Sequence, residues 1–177
     1  MAAALVFAAC QRVGVPPPPR PVTVAACPAR AIDMRDWQTL ADSAGVAFRL
    51  PPSFVERALP GEPYRRWTSA EDPSGGITIG LSPSREHFTT LRRVPSPNMH
   101  EMTECVEERG TGQILLQAWR TEGGIFRNGQ RADLFEMLAL VPLEPMRTLF
   151  VTGGGSDPGF QAVLLQVART VTIVPAR

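Results

Sequence analysis

The stretch HEMTEC brings four potential metal ligands within six residues: His100, Glu101, Glu104 and Cys105. Imidazole, carboxylate and thiolate groups are the usual zinc ligands. The spacing, however, matches neither the HExxH pattern of a helical zinc site nor the paired cysteines of a zinc knuckle. If Met102 to Glu107 is a strand, Glu104 and Cys105 point to opposite faces, because side chains alternate along a strand. We therefore predict no metal site, but a solvated edge strand with one inward-facing cysteine.

Two other stretches carry groups used in catalysis or in anion binding. SPSREHF (Ser82 to Phe88) includes His87, but nearness along the chain does not make a catalytic triad, and we predict a loop. GGGSDPG (Gly153 to Gly159) could bind an anion at a helix N-terminus, but it lacks the Lys-Ser/Thr of a phosphate-binding loop. We predict a flexible strand-to-helix turn capped by Asp157. The sequence thus indicates no catalytic residue and no cofactor, and predicts that the protein is not an enzyme.

The N-terminal stretch carries the clearest signal for location. Ala2 to Ala9 is a run of eight small or apolar residues, and Cys10 follows it directly. This pattern resembles the bacterial lipoprotein signal, in which small residues precede a cysteine that becomes acylated. We predict lipidation of Cys10, with residues 1–9 as the remnant of a signal peptide whose basic head is missing because the start codon was placed too far downstream. A cleaved secretory signal and an unstructured arm of a cytosolic protein remain alternatives.

A proline-rich spacer follows the cysteine. Pro16 to Pro19 cannot join a helix or a central strand and favour the extended polyproline conformation, at roughly 3 Å per residue. The sequence therefore divides into the signal remnant (residues 1–9), a proline-rich linker after the lipidation site (residues 10–30) and a single α+β domain (residues 31–177). In this arrangement the membrane is a partner through the lipid anchor.

The other two cysteines are Cys27 and Cys105, with neither a CxxC motif nor a nearby pair of histidines. In an oxidising compartment they can form a disulfide that joins the start of the domain to a central strand. Two separate buried thiols are the alternative. We predict the disulfide.

Composition argues against a nucleic-acid partner. The formal net charge is +1, and all 18 basic residues are arginine. These arginines are scattered along the chain and balanced by acidic residues. We expect Trp37, Trp67 and Trp119 to be buried against a sheet rather than to stack on bases.

Alternation of apolar and polar residues predicts a series of strands. The five clearest begin at Val46 (VAFRL), Gly76 (GITIGL), Gln113 (QILLQAWR), Asp133 (DLFEMLALV) and Arg147 (RTLFVT). Weaker candidates are Trp37 to Ala41, Tyr64 to Thr68 and Met102 to Glu107. Asn128-Gly129 is typical of a two-residue hairpin turn. The spacing leaves no room for crossover helices, so the sheet should be mostly antiparallel.

One helix is predicted, near the C-terminus. Asp157 would be its N-cap and Pro158 its first residue, followed by an apolar stripe. The stripe consists of Phe160, Val163, Leu164, Val167 and Val171. The predicted fold class is α+β: a meandering, mostly antiparallel sheet with a C-terminal helix packed on it.

Two motifs resemble the Mog/PsbP-like superfamily. The strand that ends in FRLPPSF is similar to the opening of these domains, and DPGFQAVLLQVARTVTIV is similar to their closing helix. The resemblance spans Trp37 to Val174 and includes the bacterial DcrB-like envelope lipoproteins. It implies a layered α+β sandwich and a non-enzymatic scaffold or binding domain, but it transfers no functional residue.

The sequence therefore predicts a lipid-anchored protein of the bacterial cell envelope that faces the periplasm or the exterior. Its domain would bind an envelope protein, and an uncovered apolar patch on the sheet face opposite the helix would support this. The alternative is a small-molecule carrier or an unrecognised hydrolase. It requires a pocket between sheet and helix, with polar groups such as His87 or His100 nearby.

Overall fold

The computed structural model describes ten segments of the chain. These are residues 22–28, 32–41, 45–57, 60–62, 64–72, 74–82, 91–109, 112–125, 131–143 and 147–173. Cys10, Pro16 to Pro19, His87 and the Asn128-Gly129 turn lie outside these segments, so the predictions made for them stay predictions.

The described residues form eleven strands and one α-helix. In chain order, these are β1 (Thr23–Val24), β2 (Gln38–Ala41), β3 (Val46–Leu50), β4 (Phe54–Arg57), β5 (Tyr64–Ser69), β6 (Gly76–Ser82), β7 (Met99–Arg109), β8 (Gly112–Ile125), β9 (Arg131–Leu143), β10 (Arg147–Gly155), α1 (Phe160–Thr170) and β11 (Thr172–Ile173).

Eight strands form one large sheet in the order β1-β7-β8-β9-β10-β6-β5-β4, and three form a small sheet in the order β11-β3-β2. Every neighbouring pair is antiparallel except β1 with β7. The α+β class and the mostly antiparallel sheet are therefore confirmed. The small second sheet was not predicted.

The helix and the small sheet together cover one face of the large sheet. Helix α1 packs against β9, β10 and β3, and the rings of Phe48 and Trp67 meet edge to face at 5.4 Å between centroids. Leu164 and Val167 are fully buried in this core, as the predicted stripe requires. The three tryptophans are buried as predicted, Trp67 in this core.

The opposite face carries a second apolar cluster, which is covered rather than exposed. Its buried members are Met102, Leu115, Trp119, Leu138 and Leu140. The segment before β7 lies over it, because Leu91 packs on the cluster and the backbone of Arg93 exchanges two hydrogen bonds with the Gln117 amide, at 2.8 and 3.2 Å. An apolar cluster thus exists on this face, but the chain itself covers it, so it is not the uncovered patch that would support binding of a partner.

The glycine triplet before the helix is strand rather than turn, contrary to prediction. Gly153 to Gly155 continue β10 and pair with β9, and Gly153 and Gly154 also pair with β6. The sheet brings backbones very close here: a Cβ on Gly153 would lie 2.1 Å from the carbonyl oxygen of Gly76. Glycine is required by this close approach, so the triplet's backbone groups belong to the sheet and not to an anion site.

Both ends of the helix also differ from the prediction. Gly159 occupies the N-cap position, while Asp157 accepts the backbone N–H of Gly159 at 2.8 Å and so orders the turn before the helix. The helix ends at Thr170, and Thr172 and Ile173 then pair with β3. Val171 is buried, as the stripe predicted, but it lies beyond the helix.

Asp72 fixes the β5–β6 turn to the start of the helix. Its carboxylate accepts the backbone N–H of Ser74 at 2.9 Å and that of Ser156 at 3.2 Å. Burial raises the pKa of the Asp72 carboxyl, but the hydrogen bonds from Ser74 and Ser156 outweigh burial and hold the pKa below its usual range. This carboxylate therefore helps to orient the first turn of the helix.

We expect Gly153→Ala to lower the free energy of unfolding by about 1–3 kcal/mol, because its methyl group would push β6 and β10 apart. Gly76→Ala is the matched control, since a Cβ there would meet its nearest neighbour at an ordinary 3.5 Å. Urea unfolding of both variants measures the difference. Equal unfolding midpoints would contradict the close approach of β6 and β10.

Candidate functional site

The N-terminal segment Val22 to Pro28, here called the strap, lies along the edge of the large sheet. Its strand β1 pairs in parallel with β7, and the backbone N–H of Ala25 donates to the carbonyl oxygen of Glu104 at 3.0 Å. Residues 22–28 were assigned to the linker, so the folded region begins before residue 31. The physical reason is that the strap's backbone groups complete the outer hydrogen-bonding edge of β7.

A disulfide attaches the strap to the sheet. Cys27 and Cys105 are bonded, with 5.1 Å between their Cα atoms and a sequence separation of 78. The predicted pairing is present in the structure. A third attachment comes from Arg169, which donates to the carbonyl oxygen of Pro28 at 2.9 Å and forms an ion pair with Glu107 at 2.7 Å. The strap is thus held by backbone hydrogen bonds, by the disulfide and by the hydrogen bond from Arg169.

A cavity of about 310 Å³ lies between the strap, the helix and the sheet. Its sheet wall is formed by Cys105, Leu116, Ala118 and Met137, among others. Pro158, Gln161, Ala162 and Leu165 form the helix wall. Ala25, Ala26 and Pro28 of the strap complete the lining. Ala25, Ala26 and Pro158 are exposed, so the cavity opens to solvent between strap and helix.

Gln161 is the principal polar side chain of the helix wall, and its amide group is engaged by the sheet. Both of its N–H donors are used, one on the carbonyl oxygen of Trp119 and one on that of Glu136, each at 3.0 Å. Sequence analysis missed Gln161. Its position four residues before the inward-facing Leu165 was the available signal, since residues at that spacing share a helix face. The cavity therefore offers mainly apolar surface rather than free polar groups.

The four candidate ligands of HEMTEC each contact a different partner. His100 pairs with Glu122 at 3.0 Å, and Glu101 pairs with Arg120 at 3.1 Å. Glu101 also has a φ of 55°, in an irregular part of the β7–β8 ladder. Cys105 is in the disulfide. The structure does not bring these side chains together.

Glu104 corrects the prediction of a solvated edge strand. It is only 8% exposed, because β1 covers the outer side of β7 and the segment before β7 covers its face. Its carboxylate accepts two hydrogen bonds from Arg92, at 2.6 and 2.9 Å, and one from Gln117 at 2.9 Å. Such fully paired burial is the usual condition for an internal carboxylate. Glu104 therefore holds the covering segment in place.

The described part of the structure forms no site from the remaining candidate stretch, SPSREHF. Ser82 is buried at the end of β6, and the rest of SPSREHF lies outside the described segments. Within the segments that the structure describes, no helix has the length and apolar character needed to cross a membrane.

Comparison with solved structures settles the fold. The Ran-binding protein Mog1p of Saccharomyces cerevisiae superposes with a TM-score of 0.52 at 9% identity, over 78% of this chain and 95% of Mog1p. The domain has the Mog/PsbP-like fold. At this identity the likeness extends to the fold alone.

Two further structures are similar at lower scores. LpqN of Mycobacterium tuberculosis, described as involved in cell envelope biogenesis, gives a TM-score of 0.45 at 11% identity, over 78% of this chain and 91% of LpqN. A Bacteroides thetaiotaomicron protein gives 0.40 at 9% identity, over 79% of this chain and 49% of its own. These scores establish nothing more about the chain. No family model and no curated protein sequence matches it.

We expect loss of the disulfide to lower the free energy of unfolding by about 3–4 kcal/mol, because it closes a long loop in the unfolded chain. Urea unfolding with and without a phosphine reductant, and of the Cys27→Ser/Cys105→Ser double variant, measures this. Cys10→Ala is the control and should respond to the reductant as the parent does. A loss below about 1 kcal/mol would mean that the backbone and Arg169 contacts hold the strap without the disulfide.

Proposed function

We propose that the chain is a lipid-anchored protein of the bacterial cell envelope whose domain binds a partner without catalysing a reaction. The observation that carries this proposal is the Cys27–Cys105 disulfide, which ties the N-terminal strap to the sheet. Disulfides persist in oxidising compartments and are rare in the cytosol. A domain that uses one to hold its N-terminal segment is suited to a place outside the cytoplasm.

The anchor would be Cys10, twelve positions before the strap begins at Val22. Between them lie Pro16 to Pro19, and such a proline run favours an extended spacer that would keep the domain at a distance from the bilayer. This order of anchor, spacer and disulfide-closed domain is what a tethered envelope protein needs.

The chemistry of the cavity supports binding rather than catalysis. Its walls are mainly apolar side chains and a disulfide, and the N–H donors of Gln161 are already used by the sheet. Mog1p, which shares the fold, is a Ran-binding protein. We extend to this chain only the general role of protein recognition, with an envelope protein as the expected partner.

Lipidation of Cys10 can be tested directly. When the gene is expressed in a bacterial host from its genomic reading frame, the product should carry lipid mass on Cys10 and partition into detergent. Cys10→Ala should lose both properties and stay folded, because the substitution lies outside the domain. Intact-mass spectrometry and detergent partition measure the result. A water-soluble wild type that still carries Met1 would overturn the proposed anchor.

A carrier of small apolar molecules is the second candidate function. The observation that favours it is the size and lining of the cavity, since about 310 Å³ reaches the lower range of small-molecule sites. A single hydrocarbon chain or a small aromatic ring matches the apolar walls. This function would place the ligand between the helix and the sheet, under the strap.

Filling the cavity tests this second function. Ala162 lines the cavity, so Ala162→Leu should weaken binding of a dansyl-labelled undecanoic acid at least about tenfold, while the unfolding temperature stays equal or rises. Exposed Ala70→Leu is the control and should bind as the parent does. Fluorescence titration with decanoate as competitor measures both. Equal affinity in the two variants would rule out the cavity as the binding site.

A further inference from the structure

Two arginines lie directly opposite each other on the exposed face of the large sheet. Arg57 in β4 is the register partner of Arg66 in β5, and both are exposed. Directly opposed residues of antiparallel strands project from the same face with Cβ atoms about 5 Å apart. This face is the one opposite the helix, because the neighbouring Trp67 points into the helix-side core. Like charges in this arrangement destabilise a sheet.

Within the part of the chain that the structure describes, no carboxylate neutralises this pair. Arg57 donates from Nε to the hydroxyl of Thr68 at 3.1 Å, and neither arginine forms an ion pair there. Arg65 provides the contrast. It lies next to Arg66 but on the other face, where it pairs with Glu56 at 2.7 Å and stacks over Trp67 at 4.9 Å. The strand therefore neutralises one arginine and leaves its neighbour available.

A polar trough of about 220 Å³ begins at Arg66 and crosses β6, β10 and β9. On β6 and β10 its floor has no large side chains, since Gly76 and Gly154 alternate with Thr78 and Thr152, and Leu134 and Glu136 line it on β9. The guanidinium of Arg66 lies over Gly76, where a Cβ would be 3.7 Å from Nη2 and 3.8 Å from Nε. The arginine thus reaches over the floor at one end of the trough.

The far wall of the trough contains a carboxylate that is already occupied. Glu136 accepts a hydrogen bond from the indole N–H of Trp119 at 2.9 Å and another from the hydroxyl of Thr121. The free positive charge at one end and the paired carboxylate at the other favour a ligand whose anionic group meets the arginines.

We propose that Arg57, Arg66 and the trough bind the phosphate group of a small phosphate ester. A phosphate carries up to two negative charges and several acceptor oxygens, which match two guanidinium groups. The trough, at about 220 Å³, accommodates a phosphate with a small organic group. A soluble phosphate ester and a phospholipid headgroup share this chemistry. The site lies on the face opposite the helix–sheet cavity and does not depend on Cys10.

A purely structural role for the arginines makes a different prediction. Charged residues on an edge strand such as β4 discourage pairing with other chains, and that role involves no anion. Protection of the edge therefore predicts that phosphate and chloride affect stability equally.

Thermal unfolding of the full chain at low ionic strength separates the two roles. Without phosphate, Arg66→Gln should raise the unfolding temperature by about 1–3 °C, because it removes the repulsion from Arg57. In 10 mM phosphate, compared with chloride at equal ionic strength, the wild type should gain roughly 3–6 °C if the site is millimolar. Arg66→Gln and Arg57→Gln should lose most of that gain.

Arg65→Gln is the matched control from the same strand. It should lower the unfolding temperature, because it breaks the pair with Glu56, and it should keep the full phosphate-dependent gain. A wild type that unfolds at the same temperature in phosphate and chloride would overturn the proposal. A gain that persists unchanged in Arg66→Gln would also overturn it, because the anion would then bind elsewhere.

Two probes distinguish the sources of the phosphate group. Glycerol 3-phosphate represents soluble esters, and vesicles of phosphatidic acid in phosphatidylcholine represent lipid headgroups. The vesicle measurement uses the Cys10→Ala background, so that an acyl chain cannot carry the protein to the vesicle. Sedimentation with these vesicles that is lost in Arg57→Gln identifies a headgroup site, and stabilisation by glycerol 3-phosphate alone identifies a soluble ester. Absence of both effects contradicts the site.

Discussion

The large sheet has two faces, and helix α1, with eleven residues, can cover only part of one. The arrangement of the other described layers follows from this constraint. The small sheet extends the helix layer over β5 and β6, and the segment before β7 covers the middle of the opposite face. Among the described residues, the end of that opposite face formed by β4, β5 and β6 carries mostly small or charged side chains, with Tyr64 and the half-exposed Val55 as exceptions. The sheet is thus apolar where it is covered and mainly polar at this end.

The cavity and the position of the strap both follow from the limited area of the sheet that helix α1 covers. Helix α1 lies over β9 and β10, so β7 and part of β8 extend beyond it. The strap reaches along β7 but does not fill the space beneath it, which leaves the cavity between strap, helix and sheet. A segment with only a two-residue strand gains little from its own hydrogen bonds. The disulfide and the Arg169 contacts supply the remaining attachment. The strap wall of the cavity is therefore covalently bonded to the sheet wall.

The sequence was most informative where structure is local. The strand VAFRL has the predicted bounds, because its alternation reflects one buried face. The disulfide was predicted because Cys27 and Cys105 are the two cysteines that remain beside Cys10 and carry no metal-binding pattern. Glu104 was misjudged because its burial depends on Arg92 and Gln117, which reach it from other parts of the chain. The glycine triplet was misjudged for a similar reason. Glycine is typical of turns, and only the approach of the β6 backbone shows why Gly153 belongs in a strand.

The second sheet and the exact ends of the helix were beyond the reach of the sequence. Strand β11 has two residues, and it exists because β3, more than a hundred positions earlier, offers a free edge. The apolar stripe continues through Val171, so periodicity alone extends the helix past Thr170. The trough beside Arg66 is formed by four strands in a spatial order that differs from their order in the chain. Such sites become visible only after the pairing is known.

The disulfide also determines how the domain would respond to mechanical force. A pull on the N-terminal segment would load the few hydrogen bonds of β1 first and would then pass through Cys27 to Cys105, in the middle of β7. Because β1 runs parallel to β7, the tension would act along β7, which is paired with β8 over most of its length. Force in this direction shears many hydrogen bonds together rather than opening them one after another. A protein tethered by its N-terminus would thereby share the strain of its attachment across the whole sheet.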